Sequence, residues 1–174
     1  MKEHLSYHTR LTLAFNDLVE CENYGKLLIK NSSGKLGSET KILYDALLTS
    51  FFVSYGRAFK RINIPSDNLT NRKFKDFINK KKNKLSIEKQ NLHNDVITQR
   101  DKIFAHSDID ALGLAAPYKL FDSYWYISYN KSKPYPNKTI VILLEICDYF
   151  SSEILKEKTF IEEKHSEVFD KKNT

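Results

Sequence analysis

An arginine interrupts the apolar side of a predicted helix in the second half of the chain. At about 100° per residue, the apolar side chains of this helix share one arc, which comprises Leu92, Val96, Ile97, Ile103 and Phe104. Arg100 lies in the middle of the arc, His93 lies beside it, and His106 lies at its edge. A guanidinium keeps its proton, so its burial requires either a carboxylate such as Asp45 or another core acid, or a cleft that receives an anion. Histidine titrates near neutral pH and can transfer protons. In the second case, Arg100 would bind the anion, and His106 at the edge of the arc would be available for proton transfer.

The residues around this pair form a longer string, Arg100-Asp101-Lys102-Ile103-Phe104-Ala105-His106-Ser107-Asp108. The string resembles the signature of the HEPN superfamily (higher eukaryote and prokaryote nucleotide-binding domains), in which an Arg is followed a few residues later by a His. A second string, Tyr55-Gly56-Arg57-Ala58-Phe59, resembles the Tyr-x-Arg-Pro-Phe run of some HEPN-like proteins, with Ala58 in place of the proline. The resemblance covers the helical body of the chain, about residues 5–160.

The resemblance implies a metal-independent endoribonuclease of the toxin or host-defence type, without a cofactor. It assigns proton transfer to His106 and stabilisation of negative charge on the phosphate to Arg100, with a 2′,3′-cyclic phosphate as product. Further residues are expected to support the site, namely Asp101, Ser107, Tyr55 and Arg57. In a straight helix the side chains of Arg100 and His106 diverge by about 120°. This divergence favours a site completed by a partner subunit, and the family usually forms it at a homodimer interface.

Other interpretations of the same residues remain open at this point. A non-catalytic HEPN-like module that binds nucleotide, RNA or a partner protein is the main alternative, since a fold does not determine an activity. In a purely structural dimer module, Arg100 would be an ion-paired core residue and His106 a favourable cation at a helix C-terminus. The resemblance also implies RNA as a partner and, as a frequent companion, a nucleotidyltransferase-like antitoxin.

Positive charge is concentrated in one segment. Between Lys60 and Lys84 there are nine basic residues and two acidic ones, whereas the whole chain has a net charge of +6. A cluster of this kind suits a phosphate backbone, and Lys80, Lys81 and Lys82 are the predicted RNA-binding residues. The alternative is a solvated surface of a helix and loop.

Composition and length limit the class of protein. The chain has 174 residues, of which 41% are hydrophobic, with five glycines and four prolines, which favours one domain built of long helices. No export signal or membrane span is expected, so the predicted location is the cytoplasm of a prokaryote. Cys21 and Cys147 lie on apolar helix faces and are predicted to be small buried hydrophobes. His4 and His8 have metal-ligand spacing but no evident third ligand, so no metal site is expected.

The expected architecture is mainly all-α, a HEPN-like up-and-down bundle of four main helices with a loop or short β insert before the last. Apolar periodicity predicts the main helices at residues 5–30, at residues 39–61, from a cap at Ser86 to about His106 or Ser107, and from about Lys138 or Thr139 onward. A short helix is expected around residues 72–79, and the aromatic stretch 122–129 could form a strand or hairpin arm. Residues 1–165 are assigned to one domain and residues 166–174 to a charged tail.

Overall fold

Three long helices form the core of the protein in the computed structural model, which describes residues 2–31, 38–60, 68–100, 118–120, 123–125 and 137–169. They are α1 (Lys2–Asn31), α2 (Ser38–Phe59) and α5 (Asn137–Lys164). Helix α1 packs extensively against both α2 and α5. The predicted all-α bundle is confirmed, because apolar side chains at helical spacing on these three elements form one continuous buried cluster.

Cross-contacts along α1 show that both of its neighbours are antiparallel to it. Arg10 contacts the end of α2, whereas Cys21 contacts Phe51 near its middle. On α5 the order is likewise reversed, since Tyr7 contacts Glu157 and Cys21 contacts the sulfur of Cys147 at 3.6 Å. Both thiols are buried and reduced, as predicted for small core residues.

Two shorter helices form a hairpin on this core. Helix α3 spans Asn68–Lys82 and α4 spans Ile87–Gln99. Helix α3 is about twice as long as the sequence prediction, because Thr70, Phe74 and Ile78 supply a buried stripe at four-residue spacing. The lysine run continues α3 to its C-terminus, where cations interact favourably with the helix dipole.

The start of α4 is fixed by the predicted cap. The Ser86 side chain accepts a hydrogen bond from the backbone N–H of Lys89 at 3.4 Å. Helix α3 packs mainly on α1, whereas α4 packs on α2 and α5. The two helices of the hairpin therefore rest on different parts of the core.

A small antiparallel strand pair precedes the last long helix. Strand β1 (Tyr118–Leu120) pairs with β2 (Ser123–Trp125), with Lys119 opposite Tyr124. After α5, the segment expected to be a charged tail begins with a short helix, α6 (Ser166–Phe169). Phe169 anchors it by packing near His8, with ring centroids 4.8 Å apart. No helix in the described parts of the chain combines the length and apolar character needed to cross a membrane.

Candidate functional site

Arg100 lies at the end of α4 with its side chain against α2. Its backbone N–H contacts the carbonyl oxygens of Val96 and Ile97, and the stem of its side chain crosses Gly56. A Cβ atom at position 56 would lie 2.7 Å from Cδ of Arg100, 2.8 Å from Cγ and 2.9 Å from Nε. Only glycine leaves room for this crossing. The orientation of Arg100 toward the apolar side of α4 agrees with the arc read from the sequence.

Asp45 is not the partner of this arginine. It precedes Gly56 by eleven residues on α2, which corresponds to about 16 Å along the helix axis. Since Cγ, Cδ and Nε of Arg100 all lie over Gly56, the guanidinium group is too far away to reach the Asp45 carboxylate.

His93 lies two turns before Arg100 on the same face of α4 and is buried against α2 and α5. Its Nδ1 shares a 2.8 Å hydrogen bond with the hydroxyl of the fully buried Tyr55. The edge of its ring meets Phe59 at a centroid distance of 4.7 Å, and Phe150 lies at 5.7 Å. Burial, with a smaller contribution from the Lys82 cation, lowers the pKa of His93 to about 4. The imidazole is therefore a neutral, flat ring at physiological pH, held in place by its hydrogen bond to Tyr55.

The burial of His93 predicts a loss of stability in acid. In the unfolded chain the pKa of His93 is about 6.5, whereas in the folded protein it is about 4. Between these two pH values the unfolded chain binds a proton that the folded protein does not bind. The free energy of unfolding should therefore fall by about 2–3 kcal/mol from this residue between pH 7 and pH 4.5. Urea unfolding at both pH values, for the wild type and for the double variant Tyr55→Phe/His93→Leu, measures this contribution. An unchanged pH dependence in the double variant would contradict it.

A cavity of about 740 Å³ opens between α3, α4 and the end of α2. Four cationic residues line it, namely Lys60, Arg72, Lys75 and Lys82, and no carboxylate is among the described residues of its wall. Its volume is in the range typical of ligand pockets. We call this cavity the cationic cleft. Its charge makes it suited to an anionic ligand.

The remaining wall of the cationic cleft is aromatic, aliphatic and amide. His93, Phe59 and Phe74 contribute rings, and Ile78 and Ile97 contribute aliphatic surface. Four asparagine side chains also line it: Asn68, Asn71, Asn79 and Asn94. Because Ile97 lies less than one turn before Arg100, the cleft extends along α4 toward the beginning of the Arg-x5-His string.

The predicted RNA-binding lysines divide among three environments. Lys82 lines the cationic cleft, where its Nζ donates to Oδ1 of Asn94 at 3.4 Å. Lys81 points to the other side of α3 and forms a tight ion pair with Glu153 of α5. Lys80 is exposed to solvent outside the cleft. The charge cluster therefore contains a structural ion pair as well as a lysine that faces the cationic cleft.

Other predicted site residues are also separated. Tyr55 is buried beside His93, as described above. Arg57 extends toward α1, where its Nη2 lies 2.8 Å from Oδ1 of Asp17 and 2.6 Å from Oε2 of Glu20. Three others, Asp101, His106 and Ser107, lie outside the described residues. Arg100 is thus the part of the Arg-x5-His string whose position the structure gives.

Arg10 is a residue that the sequence analysis missed. It is 0% exposed, and its Nη2 donates to the carbonyl oxygens of Ala58 at 2.8 Å and Lys60 at 2.7 Å. Its guanidinium carbon lies 3.8 Å from the ring centroid of Phe74, a wall residue of the cationic cleft. Burial lowers the pKa of Arg10 to about 10, so the side chain stays charged. Arg10 thus contacts two walls of the cleft from the core side. In the sequence, its place among the apolar residues Tyr7, Leu11 and Ala14 is the signal that predicts a buried arginine.

The described residues contain no cluster of three or more His, Cys, Asp or Glu side chains suited to bind a metal ion. The polar side chains of the cationic cleft are cations, amides and a neutral imidazole. Comparison with protein-family models, with curated proteins and with solved structures finds no match to this chain.

Proposed function

We propose that the protein is an endoribonuclease of the HEPN type that cleaves RNA without a metal ion, using Arg100 and His106. The observation that supports this most is the position of Arg100, whose stem is fixed over Gly56, less than one turn of α4 after Ile97 and Thr98, which line a cleft with four cations. A guanidinium held in place near a phosphate-binding surface has the location that a stabiliser of phosphate charge needs. The resemblance of the Arg100–Asp108 string to the HEPN signature supplies His106.

The proposed reaction is an internal transfer at phosphorus. His106 accepts the proton of an RNA 2′-hydroxyl, the resulting oxygen attacks the adjacent phosphorus, and the bond to the 5′-oxygen breaks. A protonated histidine returns a proton to that leaving oxygen, and the product carries a 2′,3′-cyclic phosphate. Arg100 stabilises the negative charge that gathers on the phosphoryl oxygens. Since His106 and Arg100 diverge by about 120° on a straight helix, the proposal includes a homodimer in which the partner completes each site.

Cleavage of RNA by purified protein in excess chelator tests this proposal. We expect the wild type to produce fragments with cyclic-phosphate ends, and His106→Ala and Arg100→Ala each to lower the rate about 100-fold or more. His165→Ala is the matched control, because this histidine lies beyond α5, near the start of α1 where it stacks on His4, away from the cationic cleft. Circular dichroism establishes that each variant is folded. Cleavage at the wild-type rate by His106→Ala would refute the catalytic assignment.

A second function is compatible with the same observation. The packing of Arg100 over Gly56 would serve equally well in a non-catalytic module that binds RNA, nucleotide or a partner protein. In that case the wild type retains RNA but does not cleave it, and Arg100→Ala lowers stability without changing any activity. Toxin or defence action in the cytoplasm, with a nucleotidyltransferase-like antitoxin, belongs to the endoribonuclease proposal and depends on it.

A further inference from the structure

Two cations of the cationic cleft are placed to hold one phosphate group. Arg72 and Lys75 lie three residues apart on α3 and both line the cleft, so their side chains start from neighbouring positions on one helix face. Within the described parts of the chain, neither side chain forms an ion pair. A fork of two donors with full positive charge is a strong binding group for a phosphate dianion or diester.

The opposite wall provides surfaces of a different kind. Phe59 and His93 meet edge to face at 4.7 Å, and Ile97 adds aliphatic surface beside them. Because His93 stays neutral, this wall has no charge of its own and can receive a flat, uncharged ring. Aromatic contacts of this kind contribute substantially to the binding of unpaired bases.

The amides explain why the ring would be a base and not an apolar group. Asn79 of α3 and Asn94 of α4 both line the cleft, one from each side. An asparagine amide donates and accepts hydrogen bonds at once, which matches the mixed donor and acceptor edges of nucleobases. An acidic peptide without aromatic side chains would use the cations, and its backbone could pair with the amides, but it would leave the aromatic wall without a flat ring.

We infer that the cationic cleft is a seat for a single phosphorylated nucleoside, with its phosphate on Arg72 and Lys75 and its base against Phe59 and His93. The inference rests on the proposed function only in taking that nucleoside to be one unit of an RNA strand. It adds a base-binding subsite on the α3–α4 hairpin, separate from the proposed cleavage pair. Occupation of this seat would fix which base lies a short distance from Arg100.

Calorimetric titration of the His106→Ala protein tests the inference without cleavage of the ligand. The probes are AMP, CMP, GMP and UMP, inorganic phosphate, and a short single-stranded oligoribonucleotide. We expect at least one nucleotide to bind ten-fold or more tightly than inorganic phosphate. In the double variant Arg72→Ala/Lys75→Ala its affinity should fall at least ten-fold.

The matched control is Lys84→Ala/Lys138→Ala, which removes the same charge at two exposed positions outside the cleft. Its affinity for the nucleotide should stay within two-fold of the parent. Equal losses in the two double variants would overturn the inference, because they would show attraction by net charge alone. If the nucleotides bind no more tightly than inorganic phosphate, the base-binding subsite at Phe59 and His93 is refuted.

A further variant separates the base from the phosphate. Phe59→Leu retains apolar packing but removes the ring, so nucleotide affinity should fall while phosphate affinity stays the same. Binding of the oligoribonucleotide but of no mononucleotide, lost only in Arg72→Ala/Lys75→Ala, would support a seat that serves a strand. The two proposals can fail independently. A wild-type protein that binds nucleotide but does not cleave RNA would refute the proposed endoribonuclease activity and leave the nucleotide site in place.

Discussion

Under the proposed function, replacement of Gly56 by alanine is expected to lower the rate of RNA cleavage about 100-fold while the protein remains folded. The new methyl group would lie 2.7–2.9 Å from Cγ, Cδ and Nε of Arg100, closer than any real contact. These atoms belong to the middle of the side chain, so the whole guanidinium must move. Alanine is a better helix former than glycine by about 1 kcal/mol, which offsets the cost of that movement. The substitution should therefore affect activity far more than stability.

Gly25→Ala is the control for this experiment. A Cβ atom there would lie 2.7 Å from Cδ2 of Leu144 and 2.9 Å from Cε2 of Phe51, in the core where α1, α2 and α5 meet. Overpacking of this kind costs about 1–3 kcal/mol, so this variant should lose stability but cleave RNA normally at a temperature where it is folded. Cleavage rates and thermal melting curves of the two variants separate the effects. Wild-type cleavage by Gly56→Ala would show that the position of Arg100 does not matter for catalysis.

Replacement of Arg10 by alanine is expected to reduce the free energy of unfolding by about 3–5 kcal/mol. The variant loses the hydrogen bonds to the carbonyl oxygens of Ala58 and Lys60 and the stacking on Phe74, and it leaves a void the size of the missing side chain. Carbonyl groups that lose their donor in a buried place carry their full desolvation cost. Urea unfolding at neutral pH measures the effect.

Arg10→Met separates packing from hydrogen bonding at the same position. Methionine fills much of the volume, and it removes Nε and Nη1, two buried nitrogen atoms that have no hydrogen-bond partner among the described residues. The loss should therefore be about half of that in the alanine variant, because replacement of a buried charge by an apolar side chain is often well tolerated. Equal losses in the two variants would show that the carbonyl hydrogen bonds, and not the packing, determine the stability.

The sequence was sufficient to predict elements whose evidence is local. Apolar periodicity located α1, α2 and α5, and the arc through Leu92 and Val96 gave the direction of Arg100. The predicted segment is too short at both ends of α3. It omits residues 68–71, where Thr70 is buried, and residues 80–82, a lysine run that is partly covered by the ion pair of Lys81 with Glu153. A covered lysine and an exposed one are indistinguishable in composition.

The features that the sequence could not supply are those that need two elements at once. The charge cluster pointed to an anion surface, but the choice of Lys82 and not Lys81 for the cationic cleft depends on how α3 is rotated against α4 and α5. Arg10 lies on the apolar arc of α1 as Arg100 lies on that of α4, so the spacing of its neighbours predicts that its side chain is buried. The hydrogen-bond partners of Arg10 are backbone carbonyl groups about fifty residues away in the sequence. Backbone groups are the same at every position, so the pattern of side chains does not predict which of them Arg10 binds.

The two walls of the cationic cleft are mounted on different core helices, since α3 packs mainly on α1 and α4 on α2 and α5. The gap between them is therefore set by how the core helices register against one another, together with the short turn that joins α3 to α4 and the hydrogen bond from Lys82 to Asn94. A change of a fraction of an ångström between α1 and α2 would alter the aperture without any alteration of a lining residue. Interior positions that touch both walls, such as Arg10, can therefore change how tightly the cleft holds an anion without any change in a lining residue.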